Sequence, residues 1–175
     1  MIIRKAAKTD LCAIAEIYDA VHQEEKNGKT TTGWIEDVYP VKKTAENALE
    51  NGWLFLVEEK GIVVCSAIIN QCQDNIYSKA KWKFKAKDNE VMVLHTLVVN
   101  PMHKNMGIGT RMVQFFESYA ADKGCFELRM DTNKKNTAAR KLYKKLGYKE
   151  VSILPCDFNG IPNVNLVCLE KNLNK

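Results

Sequence analysis

A chain of 175 residues with 46% hydrophobic content is long enough for one core and gives no reason to posit a second, so residues 1–175 are read as one domain. Six cysteines scattered without a Cys-x-x-Cys pair argue against a disulfide scaffold or a zinc site, while the net charge of +5 leaves polyanion binding to be weighed. The start, Met1-Ile2-Ile3-Arg4-Lys5, lacks a signal-peptide pattern, and the longest apolar run, around residues 61–69, is too short to cross a bilayer; a soluble, cytoplasmic protein is expected.

In chain order, residues 2–6 read as a strand. A helix over about 10–23 follows, with a stripe of Leu11, Ile14, Ala15, Tyr18 and Val21 and with Thr9 or Asp10 as cap. Residues 24–33 form a polar loop, and a second helix over 41–51 stops at Gly52. Residues 53–58 and 62–70 flank Glu59-Lys60-Gly61 as a hairpin. Next, Lys79, Lys81, Lys83, Lys85 and Lys87 alternate with Ala80, Trp82, Phe84 and Ala86. An extended chain puts these ammonium groups opposite the aromatics, whereas a stacking platform for single-stranded nucleic acid needs both on one surface. The pattern reads as an amphipathic strand with its lysines in water.

Residues 91–99 are dominated by β-branched and aliphatic side chains, a buried strand that Pro101 stops. Beyond Gly107, the spacing of Ile108, Met112, Phe115, Phe116 and Tyr119 predicts a helix running towards Gly124. A strand that enters a Gly-bearing turn and opens a helix presents free N–H groups at the positive end of a helix dipole, a seat for a pyrophosphate. The loop is neither a Rossmann fingerprint, which needs a Gly where Met112 stands, nor a Walker loop, which needs Gly-Lys-Ser/Thr where Gly109-Thr110-Arg111 stands. Downstream come a strand over 126–131, then a helix capped by Asn136 with Ala139, Leu142, Tyr143 and Leu146 inside and Gly147 at its end. Strands over 151–156 and 164–170 close the chain across the turn signal Asn159-Gly160. The order predicts an α+β, three-layer fold.

The stretch Lys104-Asn105-Met106-Gly107-Ile108-Gly109 resembles the Arg/Gln-x-x-Gly-x-Gly/Ala acyl-CoA loop of the GCN5-related N-acetyltransferases, with Lys104 where that family usually has Arg or Gln. The second segment, from Leu128 through Asn136 and Tyr143 to Leu146-Gly147-Tyr148, resembles the same family's other half-site. The resemblance implies a mixed, mostly antiparallel central sheet flanked by helices and transfer of the acetyl group of acetyl-CoA to a primary amine by direct attack in a ternary complex. It implies pantetheine contacts along Leu97, Val98 and Val99, a pyrophosphate on Lys104, Asn105, Met106, Gly107, Ile108, Gly109 and Thr110, and Asn136 beside the cofactor. No metal is expected.

Tyr143 is the candidate acid. A phenol, with a reference pKa of about 10, keeps its proton at neutral pH and can deliver it to a leaving thiolate. His95 is the candidate base, at a place where related acetyltransferases of aromatic amines carry a His; Glu90 and water are the alternatives. In this family the acceptor is bound by the first helices and nearby edges, here Glu24, Glu25, Trp34, Tyr39, Tyr77 and Trp82, where carboxylates attract a cationic amine and an aromatic ring stacks on it. The acceptor is a small-molecule amine or a protein amine, and a homodimer stays open. Readings of other classes are a non-catalytic acyl-CoA-binding module and a nucleic-acid-binding protein.

Overall fold

Seven runs rich in β-branched and aliphatic residues pair into one sheet in the order β1-β2-β3-β4-β5-β7-β6. The strands are β1 (Ile2–Lys5), β2 (Leu54–Glu59), β3 (Ile62–Asn70), β4 (Val91–Val99), β5 (Glu127–Asn133), β6 (Lys149–Phe158) and β7 (Ile161–Asn172). These come from a computed structural model that describes residues 1–174. Every neighbouring pair is antiparallel except β4 and β5, which are parallel and joined by a helical crossover. This is the mixed, mostly antiparallel three-layer sheet that the motifs imply.

Helices α1 (Leu11–Lys26) and α2 (Lys42–Glu50) cover one face of the first strands, burying Ile14, Ile17, Tyr18, Ala45 and Ala48 against Leu54, Leu56 and Ile68. Helices α3 (Ile108–Asp122) and α4 (Thr137–Lys145) cover the other face, where Met112, Val113, Phe116 and Tyr143 meet Leu94, Leu128 and Met130. Among the described residues no helix is long and apolar enough to cross a membrane, and all six cysteines are free.

Two local expectations are corrected. Neither Thr9 nor Asp10 caps α1 through its side chain: a 3₁₀ turn, Lys8–Asp10, precedes the helix. The Asp10 carboxylate instead takes the Ala7 N–H at 2.7 Å and pairs with Arg4 at 2.7 Å. Nor does the lysine-rich stretch form a strand. It begins in a 3₁₀ turn, Asn75–Lys79, and runs on outside the sheet with a bend at Lys83 and Phe84. Side chains take its N–H groups, Lys81 donating to Ser152 at 2.8 Å and Lys83 to the Glu170 carboxylate at 3.0 Å. The alternation itself holds. All five lysines are exposed, while Ala80, Trp82 and Ala86 pack inward on Tyr77, Val91 and Val93. The segment therefore covers the half of the sheet face that α1 and α2 leave bare, and Trp82, held between Tyr77 and Arg129, is not available for stacking on bases.

Candidate active site

The site begins with an irregularity in β4. Met92 and Leu94 face the α3 and α4 core, and strict alternation would send Thr96 and Val98 the same way. Instead Leu97 and Val99 pack there, while Val98 joins the opposite core. One residue has been added, and the register against β3 shifts between Ser66 and Ile68. Thr96 absorbs the change with φ of 47°, unusual for a β-branched residue, and its hydroxyl is hydrogen-bonded to that of Tyr39. The bulge bends β4 away from β5, whose parallel pairing ends at Leu94 and Met130. Beyond that pair the sheet opens, and residues from both of its faces line one cavity in the gap: Leu94, His95, Thr96 and Leu97 from β4, Asp131 from β5, Tyr143 from α4, and Trp34 and Tyr39 from the α1–α2 connection.

A groove leads out of this cavity past Leu97, Val98, Val99, Lys104, Gly109, Asn136 and Leu142. At its outer end the chain turns with Asn105 and Gly107 both left-handed, φ 64° and 74°, before α3 begins. The first α-helical bond of that turn is Arg111 N–H to the Gly107 carbonyl at 3.0 Å, so the N–H groups of Ile108, Gly109 and Thr110 have no intrahelical partner. Gly109 serves packing: a Cβ there would lie 3.2 Å from Leu142 and 3.7 Å from Val99, narrowing the groove. Asn136 caps α4, its Oδ1 accepting the Ala139 N–H at 3.1 Å, and also lines the groove. These features fit a pantetheine arm ending in a pyrophosphate.

The Tyr143 ring is 6% exposed and packs edge-on to Tyr148, and its hydroxyl makes no side-chain hydrogen bond among the described residues. Burial, reinforced by Asp131 and Cys65, pushes this phenol well above its ordinary pKa. His95 lies across the gap with its Nε2 3.2 Å from both Asn70 Oδ1 and the Cys72 carbonyl. Asn70 Oδ1 already accepts the Cys72 N–H at 2.8 Å, so both atoms facing Nε2 are acceptors and Nε2 must donate. The imidazole lone pair is therefore on Nδ1. Burial lowers the His95 pKa below the usual imidazole value, partly opposed by Cys72 and Asp74, which keeps the ring neutral.

The acceptor-side residues divide. Trp34 and Tyr39 line the cavity, edge to face at 6.2 Å. Glu24 stands at the groove instead, paired with Lys104 at 2.7 Å, so each is the other's counter-ion. Glu25 is not exposed to a ligand: its carboxylate takes the N–H groups of Thr32 and Gly33 and the Thr32 hydroxyl, folding residues 30–34 over the cavity. Trp82 lies outside the cavity, under Arg129 at 4.3 Å and against Tyr77. Tyr77 supports rather than lines the cavity, donating its hydroxyl to Asp131 Oδ2 at 2.7 Å. Glu90 is away from the site, capping the turn at the far end of β4 by accepting the Lys87 N–H. Sequence reasoning missed Asp131 and the Phe158-Asn159 end of the β6–β7 hairpin, which also line the cavity. An acid inside a central strand, with Met130 before it and a cavity-lining Thr after it, was the available signal. Among the described residues no group of three or more His, Cys, Asp or Glu could hold a metal ion.

Residues 13–148 match the model of the acetyltransferase (GNAT) family. An uncharacterized N-acetyltransferase of Methanocaldococcus jannaschii is 25% identical over 152 residues, covering 87% of this chain; the chain spans 62% of that relative's length. A GNAT-family acetyltransferase structure from Streptococcus agalactiae superimposes with a TM-score of 0.81 at 21% identity, over 98% of this chain and 94% of that one. The yncA protein of Salmonella typhimurium, solved with its cofactor acetyl-CoA, gives 0.71 at 19% identity, over 100% and 95%.

Proposed function

Because the chain belongs to the acetyltransferase (GNAT) family, we propose that it transfers the acetyl group of acetyl-CoA to a primary amine by direct attack in a ternary complex. The observation that carries this reading is the gap between β4 and β5, where Tyr143 and His95 face one cavity continuous with a groove that ends at unpaired N–H groups. Acetyl-CoA supplies an acetyl group activated as a thioester. The β4 backbone from Leu97 to Val99, no longer paired with β5, offers hydrogen bonds to an extended arm and a donor for the thioester carbonyl. The loop and the start of α3 hold the pyrophosphate, with Lys104 adding charge once Glu24 releases it.

The proton inventory is simple. An ammonium and a thioester give an amide, a thiol and one proton. His95 Nδ1 takes the proton that frees the amine for attack and returns it to solvent. The Tyr143 hydroxyl protonates the sulfur and is restored by the proton that the new amide nitrogen must shed. A carboxylate is not needed as base, and Glu90 is too remote to serve. A screen of amines with acetyl-CoA and thiol detection tests the reading. Acceptor-dependent thiol release is expected; stabilisation by acetyl-CoA without release from any amine would leave a binding module instead.

A further inference from the structure

Asp131 is the acid that the mechanism above does not use. It follows the last β5 residue paired with β4, so it sits at the apex of the gap, and its remaining exposed surface faces the cavity. Oδ2 accepts the Tyr77 hydroxyl, while Oδ1 has no hydrogen-bond donor and the carboxylate no ion-pair partner among the described residues. The titratable groups around it are Asp74 and Tyr77 from the β3–β4 connection, Tyr39 beyond α1, Tyr143 on α4, and Cys156 and Cys168 on β6 and β7. Across the gap is His95, itself kept neutral. None of these is a cation at neutral pH, and the cations of the neighbourhood form no ion pair with Asp131: Arg129, two residues back on β5, is held by Glu127 and Trp82, and Lys79, beside Cys156, is exposed. A carboxylate taken out of water with no counter-charge is costly, and a ligand's positive charge is what would relieve it.

We propose that Asp131 receives the acceptor's ammonium group, so that the acceptor is an aliphatic primary amine that enters positively charged rather than a neutral arylamine. This rests on the acetyltransferase reading and narrows its substrate class. Trp34, Tyr39 and Phe158 supply apolar walls for the amine's carbon skeleton. His95, on the opposite side of the gap, then meets the same ammonium and removes its proton. Burial, outweighing the Tyr77 hydrogen bond, pushes the Asp131 carboxyl up to about 7, with Asp74 adding to the rise. Cation binding requires the ionised form. It therefore strengthens as pH rises towards the midpoint and levels off above it.

The test is equilibrium binding of butylamine and phenethylamine, against the uncharged butanol and phenylethanol, to the CoA-loaded protein at about pH 6, 7 and 8. Both amines stay charged throughout this range. Wild type is expected to bind the amines at least about tenfold more tightly than the alcohols, with amine affinity rising about tenfold per pH unit below the midpoint. Asp131→Asn keeps an acceptor for the Tyr77 hydroxyl and should lose both the preference and the pH dependence while still binding acetyl-CoA. Tyr77→Phe removes a donor that favours the carboxylate, so it should move the pH limb upward, which a merely structural Asp131 would not produce. Wild type binding amines no better than alcohols, Asp131→Asn retaining the preference, or a limb unmoved in Tyr77→Phe overturns the proposal. Mass spectrometry of each amine after incubation with wild type and acetyl-CoA, in place of CoA, separates the two readings. Saturable amine binding lost in Asp131→Asn, with no acetylated product from wild type, would uphold the receiver and reject the transferase.

Discussion

The two walls of the cleft are made in different ways. The wall proposed for the cofactor uses the end of β4, the turn before α3 and the start of α4, segments whose contributions are mostly backbone N–H groups, a left-handed turn at Gly107 and close packing at Gly109. The acceptor wall is assembled from the α1–α2 connection, residues 70–74, Asp131 on β5 and the tip of the β6–β7 hairpin, and its contributions are side chains. Backbone recognition leaves a short local pattern because only certain residues permit the conformation. Side-chain recognition leaves none, because residues far apart in the chain converge only in the folded state.

The comparison breaks most sharply at Tyr143, where both walls meet. Tyr143→Phe keeps the ring packed on Tyr148 and deletes only the hydroxyl, so a fall in kcat of roughly 100- to 10,000-fold with unchanged acetyl-CoA affinity is expected from steady-state kinetics. A variant that turns over at the parent rate while chemistry limits would make Tyr143 a packing residue.

On the cofactor wall, Gly107→Glu forces a side chain into φ 74° and brings a carboxylate to the anion seat. Wild type should gain about 2.7 kcal/mol of stability at acetyl-CoA one hundred times above its Kd. The folded variant should lose that thermal shift, and acetate should stabilise neither protein. An undiminished shift would move the pyrophosphate elsewhere.

On the other side of the gap, His95→Ala should lower kcat about 100-fold with little change in acetyl-CoA binding. The sign of the pH effect follows from burial. With His95 as the base and its pKa depressed, wild-type kcat at saturating acceptor should rise through a limb below the ordinary imidazole value and be level by neutral pH, whereas the Asp131 limb enters through acceptor binding. The variant should lack that limb. A limb that survives with most of the rate would make the histidine structural.

The smallest effect concerns the Glu24–Lys104 ion pair beside the groove. Glu24→Gln frees Lys104 from its partner at 2.7 Å, so KM for acetyl-CoA should fall by a few-fold at low salt and converge with wild type as salt is raised. An unchanged KM at low salt would show that the lysine does not reach the cofactor.

How much could be read in advance follows the same division. Every helix and strand of the sheet was legible from periodicity and turn residues, β3 and β4 at both ends and the others to within three residues: α1 runs to Lys26 rather than stopping near residue 23, and β7 spans Ile161–Asn172 rather than 164–170. Asn159-Gly160 is the hairpin turn, both residues left-handed. The lysine stretch misled because alternation reports which side of an extended chain is wet, and an extended chain need not join a sheet. Glu25 and Trp82 misled for a related reason. Their residue types suit an amine, but Glu25 is occupied by Thr32 and Gly33 and Trp82 by Arg129.

By itself, the sequence determined the order of elements, the left-handed turn that opens α3 and the helix that carries Tyr143, because each depends on residues close together in the chain. The tertiary structure alone decided the rest. It added the bulge at Thr96, which parts β4 from β5 and makes a cavity out of a continuous sheet. It also placed Asp131 opposite His95 and chose, through Asn70 and Cys72, which imidazole nitrogen keeps a free lone pair. Those outcomes depend on hydrogen bonds and burial between distant segments, and such energies exist only once the chain has closed on itself.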